Sequence, residues 1–70
     1  MENMAIANRI DDIKLVKKKT GLSNEKIARE IGVTIGTIHR WFNAGVEPKS
    51  DAVLANIDRF LGKNRQFLNR

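Results

Sequence analysis

The most constraining stretch of this chain is Ile31-Gly32-Val33-Thr34, because it stops one helix and starts another with almost nothing in between. Glycine takes a positive φ without steric cost and so closes helices, whereas threonine at a helix start offers its hydroxyl to an otherwise orphaned N–H. With only Val33 between stop and cap, the two helices must turn sharply and cross. Ala28 lies four residues before Gly32, where a small side chain admits a close crossing. Ile38 lies six residues after it, where a large one fills the angle.

The same punctuation lays out the rest of the chain. Ile10, Ile13 and Val16 recur at helical spacing, with Asp11 and Asp12 early and Lys17, Lys18 and Lys19 late, as a helix macrodipole favours. They predict a first helix from about Asn8 to Lys19, stopped by Gly21. Ser23 caps a second helix, Asn24 to Ile31, which carries Glu25 in its first turn and turns Ile27, Ala28 and Ile31 inward. Thr34 caps a third, running to about Asn43, with Ile38, Trp41 and Phe42 at i, i+3, i+4. Ala44 to Lys49 reads as a loop. Ser50 caps a fourth helix with the strongest amphipathic stripe, Val53, Leu54, Ile57, Phe60 and Leu61, and Gly62 closes or weakens it. Met4 and Ile6 extend the apolar face of the first helix backwards. The basic tail from Lys63 to Arg70, with Phe67 and Leu68, reads as frayed, helical or a partner contact. No alternating β-branched run is present, so the expectation is an all-α bundle of four or five helices. It forms one domain over residues 1–70, with its core at about 10–61.

Seventy residues support only a small core, and with no cysteine neither a disulfide nor a thiolate metal site can hold it. Thirteen Lys and Arg against eight Asp and Glu leave a net charge of +5, which favours a polyanionic partner. No apolar run approaches the roughly 20 residues that span a bilayer, and Met1 to Asn8 lacks the apolar region of a signal peptide. A cytoplasmic protein without a membrane partner is expected. Enzymatic chemistry has nothing to work with: one histidine, no phosphate-cradling glycine loop and no convergent carboxylate pair. No cofactor and no metal site are expected.

Two short helices joined by a glycine turn are the ingredients of a helix-turn-helix. Leu22-Ser23, Ile27-Ala28, Ile31-Gly32-Val33, Ile38, Trp41 and Asn43 resemble the lambda repressor and Cro family, the XRE type, over Ile10 to Leu61. Trp41-Phe42 is also similar to the third helix of homeodomains. That pattern fails, because Asn43 comes one residue early and Ala44 and Gly45 stand where the base-reading asparagine and the first arginine belong.

The lambda-type resemblance implies a double-stranded DNA-binding regulator, usually a dimer and bacterial or phage-encoded, which inserts its third helix into the major groove. The implied base readers are Ile35, Gly36, His39 and Arg40. Arg40 offers two parallel N–H groups to guanine O6 and N7, and Ile35 an apolar contact for a thymine methyl. Gly36 lets backbone approach DNA closely. Ser23, Asn24, Thr34, Thr37 and Asn43 match phosphate-contacting positions of the family, and Lys49 adds a cation in the following loop.

Plainer readings stand beside each of these. Arg40 suits the negative end of a helix, Ile35 packs beside the second helix, His39 is a surface residue, and Ser23 and Thr34 are caps. Trp41 reads as core, whereas Phe42 reads as partly exposed and as a partner or dimer contact. The rival function is a protein-interaction module, such as an antitoxin or accessory factor that binds DNA secondarily. RNA binding is disfavoured because no exposed aromatic pair offers stacking surface.

Overall fold

The computed structural model describes residues 6–68, and side chains from Arg9 onward. Helix α1 spans Ile6–Thr20 and begins two residues earlier than its apolar spacing predicts, because nothing in Ile6-Ala7-Asn8 breaks a helix. Asp11 and Asp12 consequently fall in the second turn. No acid complements the dipole at the start, while Lys17, Lys18 and Lys19 do so at the end. The expectations for Met4 and for the side chain of Ile6 lie outside the described residues. Thr20 closes α1, donating its hydroxyl to the Val16 carbonyl at 2.7 Å and accepting the Leu22 N–H at 3.2 Å, ahead of Gly21 at φ 78°.

Helix α2, Asn24–Ile31, starts as expected: Ser23 Oγ accepts from the Lys26 N–H at 3.0 Å. Gly32, at φ 94°, ends it, and the N–H groups of Gly32 and Val33 both reach the Ala28 carbonyl, at 2.8 and 2.9 Å. Helix α3 is only five residues, Ile35–His39, with Thr34 as its cap. It does not stop near Asn43 as an α-helix but widens into a π turn over Arg40–Ala44, closed by Gly45 at φ 71°. The N–H groups of Gly45 and Val46 both return to the Arg40 carbonyl. The connection that follows is anchored, because Pro48 is buried.

Helix α4, Asp51–Lys63, begins at the Ser50 cap and runs straight through Gly62. That glycine therefore does not close the helix. Asn64 does so, its side-chain amide donating to the Phe60 carbonyl at 2.8 Å. The tail is not frayed up to residue 68. It forms a 3₁₀ turn, Arg65–Leu68, that packs Phe67 and Leu68 against the core beside α1.

All four helices feed one apolar cluster. Ile13 and Val16 of α1, Ile27 and Ile31 of α2, Ile38 of α3 and Ile57 of α4 are wholly covered, and Ile10, Ala28, Trp41, Phe60 and Leu61 complete the core. Each large side chain removed from water contributes about 1.5 to 3 kcal/mol against the entropy of ordering the chain. Charged links tie the rim of the bundle. Arg9 grips Asp58 with two bonds of 2.8 and 3.1 Å, and Lys63 meets Glu30 at 3.5 Å. Among the described residues there is no strand, and no helix is long and apolar enough to cross a membrane.

Candidate nucleic-acid interface

A five-residue helix has too few internal bonds to persist alone, so α3 is held from outside. Thr34 fixes its start and Ile38, fully buried, fixes its middle. Trp41, 4% exposed, pins the π turn that follows. Ala28, buried on α2, lets the two helices meet closely. With the inward face so committed, the side chains between these anchors are turned outward.

Ile35 is 44% exposed, and the part of it that is covered borders a crevice lined by Glu25, Ala28, Arg29 and Val33. Gly36 has no packing reason to be glycine. A Cβ built there would meet only the Arg40 guanidinium and the Thr34 hydroxyl, each at 3.9 Å, which is ordinary contact. His39 and Arg40 are exposed, and Arg40 forms no ion pair among the described residues. Its Nη2 donates to Thr37 Oγ1 at 3.2 Å. Thr37 Oγ1 lies 3.0 Å from Thr34 Oγ1, and either hydroxyl can supply that proton. Ile35, Gly36, His39 and Arg40 thus fall on or beside one short helix, together with Thr34 and Thr37.

The remaining polar candidates come from other elements. Ser23, the α2 cap, is exposed. Asn24, the first residue of α2, has a buried amide oxygen without a hydrogen-bond partner, which costs about 1 to 3 kcal/mol. On the same helix, Lys26 pairs with Glu30 at 3.6 Å and Arg29 with Glu25 at 3.6 Å, so part of the charge of α2 is neutralised within the protein. Asn43 is exposed on the π turn. Lys49 is exposed, forms no ion pair among the described residues, and is set between buried Pro48 and the Ser50 cap. Pro48 is the contributor that reading the sequence missed, and a lone proline before a serine cap is the signal that marks it.

Phe42 departs from the stripe it shares with Ile38 and Trp41 and is half-buried. Its ring lies 5.8 Å from Lys14 Nζ, within reach of a cation–π contact. With Ile10, Trp41 and Val46 it lines a cleft of about 180 Å³ that is also lined by Asp11, Lys14 and Glu47.

A helix-turn-helix family model matches residues 13–68, from the middle of α1 to the 3₁₀ turn. The chain belongs to the lambda repressor-like helix-turn-helix family. No curated protein and no solved structure gave a significant match. Membership makes α2, the Gly32 turn and α3 the DNA-binding unit of this domain, in a family that binds DNA rather than one built for catalysis.

Proposed function

We propose that this helix-turn-helix protein is a sequence-specific transcriptional regulator, acting as a repressor, with α3 seated in the major groove of double-stranded DNA. Arg40 reads a guanine through two N–H groups, Ile35 meets a thymine methyl, Gly36 brings backbone close to the base edges, and His39 contacts an adjacent base. Phosphates are taken by Ser23, Asn24, Thr34, Asn43 and Lys49. The observation that carries this reading is the outward face of α3. An exposed isoleucine and a glycine that no internal contact requires stand beside a held, unpaired arginine. Burial and helix propensity would favour neither the isoleucine nor the glycine on a surface left to water.

The domain measures 29 × 26 × 21 Å. Half-sites one helical turn apart lie about 34 Å between centres, so two copies bound side by side come almost into contact. This spacing supports a homodimer on a two-fold operator, joined by a modest peripheral contact, and the regulator is assigned to a bacterial or phage cytoplasm. Each phosphate neutralised by a lysine such as Lys49 adds about −0.9 to the log–log salt slope, whereas the uncharged contacts add nothing to it. Selection from a random duplex pool, followed by footprinting, tests the proposal. Enrichment of a guanine-containing half-site, repeated about one turn away, is expected; a pool that stays unenriched rejects specific regulation.

One observation favours a second reading, as a protein-interaction module. The cleft at Phe42, Trp41 and Val46 is a largely apolar surface bordered by Asp11, Glu47 and Lys14, the kind of hollow a partner side chain can fill. Co-purification with a defined partner, lost on Phe42→Glu while DNA binding persists, would establish it.

A further inference from the structure

Thr37 stands between two other side chains on the outward face of α3. The Thr34 hydroxyl is fixed by the main chain, since it accepts the Thr37 N–H at 3.3 Å as the helix cap. The Thr37 hydroxyl is fixed in turn by Thr34, 3.0 Å away, and the Arg40 guanidinium by Thr37 at 3.2 Å. The bonds thus begin on the backbone and end on the one side chain that Proposed function assigns to guanine. Threonine suits the middle position, because its branched Cβ leaves few χ1 rotamers in a helix and so transmits position rather than absorbing it. Gly36 supplies the floor. The guanidinium lies back over the first turn, where a Cβ would stand 3.9 Å from its Nη1.

A solvated arginine needs none of these arrangements. Its long side chain would otherwise sample many rotamers and lose that freedom on binding. One hydrogen bond to Thr37 uses one of five N–H donors and leaves the others for the two acceptors of a guanine.

We propose that Thr37 is a positioning residue for Arg40. Through the Thr34–Thr37–Arg40 chain it holds the guanidinium ready for base reading, in place of the phosphate contact that the family pattern implies at this position. The inference rests on Arg40 reading a guanine, and its test separates the two claims.

The probe is a duplex selected by the wild-type protein from a random pool, together with the same duplex carrying each substitution at the guanine. Thr37→Val removes the hydroxyl while keeping the shape. It should leave binding to unrelated duplex unchanged and reduce discrimination at the guanine by roughly 3- to 10-fold, the size of one net hydrogen bond. Thr37→Ser should restore discrimination. Thr37→Ala, which also lacks the hydroxyl but favours helix, should behave as Thr37→Val does. In an Arg40→Ala background, Thr37→Val should change discrimination no further. The inference is overturned if Thr37→Val and Thr37→Ala discriminate like wild type while Arg40→Ala does not. It is equally overturned if they weaken every duplex alike, with or without Arg40, since that is the behaviour of a phosphate contact. An Arg40→Ala protein that discriminates like wild type removes the base-reading role itself, and the positioning role with it.

Discussion

Helices α3 and α4 are each opened by a hydroxyl cap, yet they spend their remaining residues differently. In α4, thirteen residues bury Ile57, Phe60 and Leu61, and charged side chains cover much of the rest, Asp58 answering Arg9 and Lys63 answering Glu30. In α3, five residues bury Ile38 alone, with Trp41 following in the π turn. The outer face of α3 makes little sense as a surface for water. On the proposed reading, α4 serves the core alone, while α3, too short to stand by itself, serves recognition as well.

If that division is right, the largest effect on folding belongs to α4. Ile57→Ala empties a wholly buried site and should cost about 2 to 5 kcal/mol in chemical denaturation, enough to unfold much of a domain this small. DNA binding per folded molecule should be unchanged. A matching loss of specificity would merge the two roles and break the comparison.

On α3 the pattern should invert. Arg40→Ala, at an exposed site, should move stability by no more than about 0.5 kcal/mol while removing about 1 to 3 kcal/mol of discrimination at one base pair. Lys49→Ala sharpens the contrast. In titrations over a range of salt it should weaken all duplexes alike and flatten the salt slope by about one unit.

Gly36→Ala sets the two properties against each other within one residue. The added methyl finds only ordinary contacts at 3.9 Å, so thermal stability should rise, by about 0.4 to 1 kcal/mol. Affinity for the selected duplex should fall several-fold, because the methyl occupies the space that bare backbone offers DNA. A stabilised variant with undiminished binding would make Gly36 a residue without function.

The smallest effect is electrostatic and belongs to the scaffold. The hydrogen bonds from Arg9 hold the Asp58 carboxyl below the usual carboxylate range, despite an opposing contribution from partial burial, with Coulombic attraction adding to the bonds. A depressed carboxylate contributes stability that is complete above its unfolded value, near pH 4, and is lost as pH falls through the folded value. Both partners are partly solvated, so the pair is worth at most about 1 kcal/mol. Asp58→Asn should remove that share of the acid dependence of unfolding and leave DNA binding alone.

Much of the fold was legible in the sequence because its signals are local. Ser23, Thr34 and Ser50 cap the helices they precede, and Gly32 stops the one it follows. Glycine also misled. Gly62 looks like a stop and lies inside α4, whereas the left-handed closure after α3 is Gly45. A sequence does not reveal which glycine takes positive φ when the deciding contacts are tertiary. The π turn escaped for the same reason, since a widened turn keeps the composition of an α-helix. The Arg9–Asp58 link joins residues 49 apart, and the docking of Phe67 and Leu68 depends on α1 lying beside them. The base-facing candidates were legible as a set of positions. The bond between Thr37 and Arg40 was not, because a spacing of three does not tell a hydroxyl turned toward phosphate from one turned toward its neighbour.

The carbonyl of Arg40 closes the π turn by accepting from Gly45 and Val46, and its N–H reaches back to Gly36 and Thr37. These are main-chain tasks, indifferent to the side chain above them. Any residue but proline can perform them. If Arg40 reads DNA as proposed, position 40 is an exchangeable reading head on a fixed mount. A lineage can adopt a new operator by changing the chemistry displayed there, without reopening the question of how the domain folds.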